Sequence, residues 1–549
     1  MRKLVLIGFC LFLTGAMVFA TGSRQPAAST GTPTLQIGID QAGNVTEFEN
    51  NYLTQYLEKF HNVKLEFITF SGAELATRLA LMAASDDLPE TIWSGGVSSA
   101  TVLNFGQNGF FLPLNRYFND ASRTPYFNRL PEADRKSMLD TTASADGNNY
   151  GFPTFNPNAW NSVIYRLRLN FEWLAKLGLQ TPRTTDELRN VLIAFRDRDP
   201  NGNGRRDELP VFGQVSNGWG TDVCVALINS FVYYHPGYRL ALDASGNNVT
   251  APFTEAGFRR GLQYLNGLYR DGLFDPGSFT TDTQNYRLIL NANPSVVGLT
   301  VTGSNGNFTN LNLILDTPPV YDIVRPFSSP GVPGYTPYDL PGASNSSFIT
   351  NKAKNVDLAV KVMDSFYEPT LSIICQYGEE NVNWSRDPAF MADVMSRGFI
   401  NERIYLGMST SLTFVTLNDT WNVPTNLHWG TQNPRYWPEE MNAGWTNYWP
   451  DAAPFDGSRI KTDDHWMNYL TMHPERLLPE LKYSLADSET LAQPITNIGT
   501  YINQSIAEFT TGVRDINSDT AWNAYLRELD NMGLQQWLRI AQATYNRQR

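Results

Sequence analysis

The chain contains 549 residues with a formal net charge of −12, and 42% of its residues are hydrophobic while 17% are charged. This length exceeds what one compact core can organise, so we expect two or three globular domains. The acidic balance argues against nucleic acids and anionic membrane surfaces as partners, and it leaves a neutral ligand open.

Residues 1–20 have the pattern of a secretory signal. Arg2 and Lys3 precede a short apolar run, and small residues around Ala20 suit cleavage after that position. The run is too short to span a membrane, and no Cys stands where a lipid anchor would be attached. We therefore expect export to the periplasm, with residues 21–33 as a flexible tether.

Strand and helix patterns alternate in the first part of the mature chain. Residues 34–40 and 63–68 alternate like strands, whereas 50–61 and 73–85 place apolar residues at helical spacing. Such alternation is typical of an α/β protein with mostly parallel sheets flanked by helices.

Several short motifs resemble those of extracellular solute-binding proteins of the sugar-binding class, the capture subunits of ABC importers. They occur in the family's order along nearly the whole mature chain. They read LMAASDDLPE at 81–90, GQNGFFLPL at 106–114, ADGNNYGFP at 145–153, FEWLAKLG at 171–178 and AWNAYL at 521–526. Together they are specific for the family, but they say nothing about which sugar is bound.

The resemblance implies a two-lobed periplasmic-binding-protein fold of type II with hinge crossovers between the lobes. On this basis we assign residues 34–153 and about 344–395 to lobe 1, and 154–343 and about 396–549 to lobe 2. It also implies a monomer that captures a carbohydrate, and an ABC permease as its partner. The size of the chain favours an oligosaccharide or a uronate oligomer. A binding protein that feeds a sensor receptor is the alternative.

A loop at 199–208 predicts a structural Ca²⁺ site. Oxygen-bearing side chains alternate with Gly and Pro, and hard cations prefer six to eight oxygen ligands. The start fits an EF-hand loop, but Pro210 stands where the closing Glu should be. An Asx-rich turn without metal is the alternative. The proposed ligands are Asp199, Asn201, Asn203, Arg205 through its carbonyl group, Asp207 and Glu208.

A Trp-rich, Pro-rich segment in the second half is one candidate for ligand binding. An indole can stack on the C–H face of a pyranose while nearby Asn side chains satisfy the hydroxyls. The same residues could instead form the small core of an insertion. The candidates are Trp421, Trp429, Trp437 and Trp445.

Other ligand-binding candidates lie at expected sheet edges and crossovers. Trp93 follows a strand, where ligands of open α/β sheets tend to sit, although core packing would explain it equally well. Arg166 could pair with an acidic sugar or form an ordinary salt bridge. The remaining candidates are Trp160, Tyr165 and Trp219.

Catalysis is not expected. The sequence has five His, and no zinc-protease, nucleophile-elbow or P-loop pattern occurs in it. Adjacent carboxylates in sequence do not make the facing pair that a glycosidase needs. After removal of the signal only Cys224 and Cys375 remain, and either one disulfide or two free thiols would be compatible with the sequence.

Overall fold

The computed structural model describes residues 31–156, 159–215, 218–308, 319–387, 424–437 and 466–549, together with Leu313, Ala389 and two short strands at 405–408 and 413–416. The predicted signal and most of the predicted tether lie outside the described residues.

Strands and helices alternate through both halves of the chain. The strands are β1 Thr34–Asp40, β2 Lys64–Phe70, β3 Thr91–Trp93, β4 Gly151–Phe155, β5 Leu167–Asn170, β6 Leu209–Val211, β7 Ala241–Leu242, β8 Val249–Thr250, β9 Val297–Val301, β10 Tyr321–Ile323, β11 Ala343–Ile349, β12 Trp384–Ser385, β13 Tyr405–Met408, β14 Thr413–Thr416 and β15 Arg435–Tyr436.

The described α-helices follow the same order. They are α1 Tyr52–His61, α2 Leu75–Ala84, α3 Ser99–Gln107, α4 Asn115–Phe118, α5 Glu132–Thr142, α6 Phe171–Leu177, α7 Thr185–Asp197, α8 Val223–Ile228, α9 Ala256–Arg270, α10 Thr283–Leu290, α11 Val356–Ser365, α12 Pro369–Tyr377, α13 Leu485–Thr511, α14 Asp519–Asn531 and α15 Leu534–Gln548.

The first lobe is built on a six-stranded sheet of order β15-β4-β11-β3-β1-β2. Leu35, Ile37 and Ile39 are at most 2% exposed and pack on one face of it against α1 and α11. The other face packs against α2 and α3. Burial of each such aliphatic side chain contributes about 1.5–3 kcal/mol, so the alternation in β1 fixes which face meets which helices.

The second lobe is built on a four-stranded sheet of order β10-β5-β9-β6. Both sheets are mixed rather than uniformly parallel, because β5 and β11 run antiparallel to their neighbours. These two strands directly follow the first and second crossovers between the lobes. Each therefore enters its new sheet in the reverse direction.

Two crossovers between the lobes lie in the described part of the chain, at 156–166 and at 324–342, and residues 466–471 form a short 3₁₀ helix of the second lobe. Val163 and Tyr338, one from each of these crossovers, belong to one small apolar cluster with Tyr469 of the 3₁₀ helix Trp466–Thr471. The Tyr469 hydroxyl accepts a hydrogen bond from the Leu167 backbone nitrogen at 3.1 Å. The crossovers are thus tied together beside the start of β5.

The segment 424–437 differs from the predicted lobe boundary. Its strand β15 pairs in parallel with β4 of the first sheet, and Trp429 and Trp437 belong to the apolar core of the first lobe. The sequence assignment of everything after about residue 396 to lobe 2 therefore does not hold for this segment. A two-residue strand gives no periodic signal, and its pairing partner is about 280 residues away.

The C-terminal helical stretch is interrupted. Helices α14 and α15 are separated at Met532 and Gly533. Gly533 has a φ of 99°, a left-handed conformation that Gly adopts without the steric cost of a Cβ. The break lets α15 fold back to contact both α13 and α14.

Cys224 and Cys375 are free thiols that lie in the cores of different lobes. This excludes the disulfide alternative. Within the described part of the chain, no helix combines the length and the apolar character needed to cross a bilayer.

Candidate functional site

The carboxyl ends of the parallel strands define the candidate site. In the first sheet, β1, β2, β3, β4 and β15 all end at one edge, where β11 begins. In the second sheet, β6, β9 and β10 end where β5 begins. The crossovers at 156–166 and 324–342 run between these two edges. Ligands of open α/β sheets bind outside the carboxyl ends of strands, so both edges are candidate binding surfaces.

Asp40 ends strand β1 at the edge of the first lobe. One carboxylate oxygen lies 3.5 Å from the Ser94 hydroxyl, and a Cβ built on Gly72 would lie 3.1 Å from both oxygens. Burial raises the pKa of Asp40, and the Ser94 hydroxyl opposes that rise. The Oδ1 atom is shielded from solvent and has no hydrogen-bond partner among the described residues. A shielded acceptor of this kind is costly unless a donor reaches it.

Residues 424–437, which we call the edge segment, lie along the same edge. The Thr425 nitrogen donates to the Asn44 carbonyl oxygen at 3.1 Å. The Gln432 side-chain oxygen accepts from the Gly95 nitrogen at 3.2 Å. The Thr154 hydroxyl donates to the Asn433 carbonyl oxygen at 2.9 Å. The edge segment therefore contacts the loops after β1 and β3 and the end of β4.

Trp429 is fully buried in the first-lobe core. Its indole nitrogen donates to the Thr54 hydroxyl at 2.9 Å, and its ring centroid lies 5.4 Å from those of Trp93 and Phe67. This satisfied, enclosed indole has no face left for a sugar. Trp429 therefore packs in the main core of the first lobe, and not in the separate core of an insertion that was considered from the sequence.

Trp93 and Trp437 are also core residues. Trp93 is 0% exposed, and its indole nitrogen donates to the Thr91 hydroxyl at 2.8 Å. Trp437 is 7% exposed and belongs to the same core. Their assignment as ligand contacts is therefore corrected. Trp93 lies just before the carboxyl edge, and the side chain of the last strand residue points into the core rather than out of the sheet end.

Arg166 precedes β5 at the edge of the second lobe and is completely buried. One terminal nitrogen donates to the Val163 carbonyl oxygen at 2.7 Å, and the other donates to the carbonyl oxygen of Gly303. Burial and the nearby Arg168 lower the pKa of this guanidinium. Arg166 thus fastens a crossover to the loop after β9, and the prediction that it pairs with an acidic sugar is not supported.

Trp219 is the exposed indole at this edge. It is 46% exposed, and the Arg166 guanidinium carbon lies 5.9 Å from its ring centroid. The Gly303 nitrogen donates to the Trp219 carbonyl oxygen at 3.1 Å. A Cβ on Gly303 would come within 2.7 Å of the indole ring, so Gly at this position lets the ring lie directly on the backbone. Trp219 is held from below and open to solvent.

The remaining aromatic candidates have different positions. Tyr165 is partly buried against the second-lobe core, and burial raises its pKa. Trp160 lies in the short 3₁₀ helix Ala159–Ser162 of the first crossover, but its side chain is outside the described part of the structure. Trp421 and Trp445 also lie outside the described residues.

The 199–208 loop follows α7 and leads into β6. Helix α7 starts with a capping box, in which the Thr184 hydroxyl accepts from the Glu187 nitrogen and the Glu187 carboxylate accepts from the Thr184 nitrogen. The Asp199 carboxylate accepts hydrogen bonds from the Asn203 and Gly204 nitrogens at 3.2 and 3.0 Å. The loop thus lies between the end of helix α7 and the start of strand β6. Within it, the Asp199 carboxylate closes the turn through these two hydrogen bonds.

The donor set of this loop fits a hard cation. The Asn201 and Asn203 amides donate to the Asp207 carboxylate at 3.0–3.1 Å, and half a turn of either amide would present oxygen instead of nitrogen. One carboxylate oxygen of Glu208 is buried without a hydrogen-bond partner among the described residues. Burial, with smaller contributions from Asp199 and Asp207, raises the pKa of Glu208. A bound cation would give the buried Glu208 oxygen a partner and would favour the ionised form of Glu208.

The three carboxylates of this loop, Asp199, Asp207 and Glu208, do not converge on one point. Among the described residues, no three His, Cys, Asp or Glu side chains converge on a metal position. In this loop two of the six predicted ligands are amides, and Arg205 would contribute a main-chain carbonyl. Oxygen ligands of mixed charge are what Ca²⁺ accepts.

Sequence reasoning missed Asp40. A signal was present, because a charged residue ends an otherwise apolar alternating strand, at the position where ligands of α/β sheets bind. The close backbone approach that requires glycine directly after Trp219 was not evident from the sequence either. Gly220 has a φ of 65°, and a Cβ on it would meet the Ile164 carbonyl oxygen at 2.2 Å. Only its contact with a residue 56 positions away reveals that requirement.

The two mixed sheets and the crossovers described between them agree with a two-lobed periplasmic-binding-protein fold of type II, the fold of the solved structures compared below. The family of bacterial extracellular solute-binding proteins matches residues 42–370, and the chain belongs to this family. The prediction from the sequence motifs is confirmed, and so is the prediction of a binding protein rather than an enzyme.

Among curated proteins, the chain is similar to the fructooligosaccharide ABC transporter substrate-binding protein FusA of Streptococcus pneumoniae. The two are 27% identical over 507 residues, which cover 90% of this chain and 86% of FusA. A polygalacturonan/rhamnogalacturonan-binding protein of Bacillus subtilis, YtcQ, is 24% identical over 233 residues, which cover 42% of this chain and 43% of YtcQ.

Solved structures show the same architecture. FusA of S. pneumoniae in complex with kestose superposes with a TM-score of 0.74 at 22% identity, covering 94% of this chain and 99% of that one. A FusA structure described as an EF-hand mutant, in complex with fructo-nystose, gives a TM-score of 0.73 at 22% identity and the same coverage. At this identity the likeness concerns the fold.

Proposed function

We propose that this chain is the solute-capturing subunit of an ABC importer and that its solute is an oligosaccharide held between the two lobes. The observation that carries the proposal is Trp219, an exposed indole at the carboxyl edge of the second sheet. An aromatic ring fixed with one face open suits the C–H face of a sugar ring. The similarity to FusA over 90% of the chain supports the same class of ligand.

The mechanism follows from the crossovers. Ligand that contacts both lobes stabilises the arrangement in which the two sheet edges approach each other, and it shifts the equilibrium only by its difference in affinity for the open and closed arrangements. The cluster of Val163, Tyr338 and Tyr469 is the point about which the lobes would rotate. The closed form would then dock on a membrane permease, as a monomer.

Two further parts of the proposal concern export and metal. The pattern of residues 1–20 supports secretion to the periplasm, where a capture subunit meets its solute. The 199–208 loop would hold a structural Ca²⁺ through Asp199, Asn201, Asn203, the Arg205 carbonyl group, Asp207 and Glu208. Bound there, the cation would fix the connection between α7 and β6 rather than contact the sugar.

Thermal unfolding against a panel of mono- and oligosaccharides tests the function. A ligand at about 100 times its Kd adds about 2.7 kcal/mol of stability. We expect a neutral or acidic oligosaccharide to raise the Tm, and Trp219→Ala to reduce that rise by about half or more while leaving the Tm without sugar unchanged. The proposal fails if no carbohydrate shifts the transition while a peptide or another solute does.

A further inference from the structure

The two lobes also contact each other through a short segment, residues 480–483, that lies outside the described crossovers. This segment belongs to the second lobe, because Leu481 packs against the core of that lobe. The Gln548 side chain, near the end of α15, donates to the Glu480 carbonyl oxygen at 3.0 Å and accepts from the Lys482 backbone nitrogen at 2.9 Å. The main chain of the 480–483 segment is therefore fixed to the second lobe.

The Glu480 side chain contacts the start of helix α3 in the first lobe. The hydroxyl of Ser99, the first residue of α3, donates to the Glu480 carboxylate at 2.9 Å. A negative charge at a helix N-terminus is favoured by the helix dipole. Helix α3 packs in the first lobe through Val102 and Phe105, and α13, which follows the 480–483 segment, lies beside it. The Ser99–Glu480 hydrogen bond thus joins the two lobes.

The Lys482 side chain contacts the last turn of helix α5, also in the first lobe. Its ammonium group donates to the main-chain carbonyl oxygen of Asp140. Carbonyl groups in a last turn lack partners within the helix, and a positive charge there is favoured by the helix dipole. The Asp140 carboxylate forms an ion pair with Lys136. Burial lowers the pKa of Lys482, and the carboxylates of Glu480 and Asp140 oppose that change. Lys482 therefore gives the end of α5 a donor that the helix does not supply.

The lobes meet here around a cavity of about 290 Å³ rather than through a packed core. Its walls come from both lobes, and they include Val97, Thr141, Leu481 and Tyr483. If the lobes moved apart at this point, the hydrogen bonds of the Glu480 and Lys482 side chains would break. The hydrogen bonds of Gln548 would remain, because they lie within the second lobe.

We propose that Glu480 and Lys482 form a latch between the lobes that raises the affinity for the oligosaccharide without contacting it. Both contacts require that the ends of α3 and α5 lie beside the 480–483 segment, so they favour this arrangement over a more open one. A ligand held between the lobes then binds more tightly, because a larger fraction of the chain is in the arrangement that binds it. This inference rests on the proposed function and adds residues that set its affinity.

A double-mutant cycle on Ser99 and Glu480, measured by titration calorimetry, tests the latch. The probe is kestose or, where another oligosaccharide of the panel gives a larger thermal shift, that oligosaccharide. Ser99, Asp140 and Glu480 are exposed, and exposed charged contacts contribute little singly, so we expect Ser99→Ala and Glu480→Ala each to weaken binding about threefold.

The double variant separates a latch from direct contacts with the sugar. Both substitutions remove the same hydrogen bond, so the double variant should bind no more weakly than Glu480→Ala alone. If each side chain instead contacted the sugar independently, the two losses would multiply to about tenfold.

Lys482→Met tests the second contact on its own. It keeps the apolar stem of the side chain, removes the donors and should weaken binding about threefold. The matched control is Lys176→Met, which removes a lysine of the second lobe whose ion pair with Glu172 lies within helix α6. The control should leave the affinity unchanged. The Tm without sugar should be the same in all these variants, so that a weaker affinity does not reflect unfolding.

The outcomes separate the latch from the proposed function. Unchanged or tighter binding in Glu480→Ala or in Lys482→Met overturns the latch and leaves an oligosaccharide-binding protein, and so do losses that multiply in the double variant. Failure of every sugar to bind overturns the proposed function, and the latch with it.

Discussion

The backbone nitrogen of Gly303 donates a hydrogen bond to the carbonyl oxygen of Trp219 at 3.1 Å, and the indole ring lies directly above this glycine. The loop after β9 and the loop that carries Trp219 are thereby locked to each other. The exposed ring keeps its orientation because its support is backbone rather than a mobile side chain.

Gly303→Ala should weaken sugar binding about tenfold. The added Cβ would stand 2.7 Å from the indole and 2.8 Å from the Trp219 carbonyl oxygen, so the ring must shift. The matched control is Gly267→Ala in helix α9, where nothing lies within 4 Å of the new Cβ and Ala favours the helix by up to about 1 kcal/mol. Calorimetric titration of both variants with the same sugar checks the prediction, and equal affinities would refute it.

Trp429→Ala should destabilise the chain by about 3–5 kcal/mol, because it leaves a cavity in the first-lobe core and removes the hydrogen bond from the indole nitrogen to the Thr54 hydroxyl. Trp219→Ala removes the same side chain from an exposed position and should change stability by less than about 1 kcal/mol. Urea unfolding of the two variants measures the difference. Similar losses in both would mean that burial does not distinguish these two residues.

His428 should make stability depend on pH. Burial, with the nearby Arg435, lowers its pKa from 6.5 to about 4, and its Nδ1 accepts from the Gly430 nitrogen at 2.9 Å. As the pH falls below 6.5, His428 becomes protonated in the unfolded chain, whereas in the folded chain it stays neutral down to about pH 4. The stability contributed by neutral His428, up to about 3 kcal/mol, is thus present above pH 6.5 and lost between pH 6.5 and 4.

Other buried groups also titrate in this pH range, so the contribution of His428 must be measured as the difference between wild type and a His428 variant. Burial lowers the pKa of His61 to about 4 as well, whereas it raises that of Asp364 to about 6 and that of Asp222 to about 7. The two carboxyls add stability as the pH falls. The measurement is therefore the unfolding free energy of wild type minus that of His428→Gln between pH 7.5 and 4.5. A difference that stays constant with pH would contradict the assignment.

Removal of Ca²⁺ should lower the Tm. Chelation by EDTA removes the cation that would offset Asp199, Asp207 and Glu208, and added Ca²⁺ should restore the transition. In Asp207→Asn the EDTA effect should disappear. The control is Asp243→Asn, in a turn where the carboxylate accepts hydrogen bonds from Ser245 and Asn247.

Elemental analysis of the purified chain complements the EDTA experiment. It should find about one Ca²⁺ per chain in the wild type and in Asp243→Asn, and none in Asp207→Asn. A wild-type chain without Ca²⁺ and with an EDTA-independent transition would show that residues 199–208 form a turn without metal.

The elements that local pattern governs could be predicted from the sequence. The alternation of 34–40 and the spacing of 50–61 correspond to β1 and α1, because apolar residues at periods of 2 and 3.6 must face a core. The lobe that holds residues 424–437 could not be predicted, since β15 has two residues and its partner β4 is about 280 positions away.

The candidate site was less predictable than the fold, for the same reason. Trp219 and Trp429 are chemically identical, and each is followed by Gly. Trp429 lies in the core, where its indole nitrogen donates a hydrogen bond to the hydroxyl of Thr54, 375 positions earlier. Trp219 contacts Gly303 and the Arg166 guanidinium, and the rest of its ring is open to solvent. Residue type indicates what an indole can do, but only the tertiary contacts decide which indole is available.

Titration of the wild-type chain and of Trp219→Ala with the oligosaccharide that gives the largest thermal shift tests the central claim most directly. Our account predicts micromolar or tighter binding by the wild type, about −8 kcal/mol or more, and at least a tenfold loss in the variant at unchanged stability. A variant that binds the sugar as tightly as the wild type would contradict the placement of the ligand against the second-lobe sheet edge.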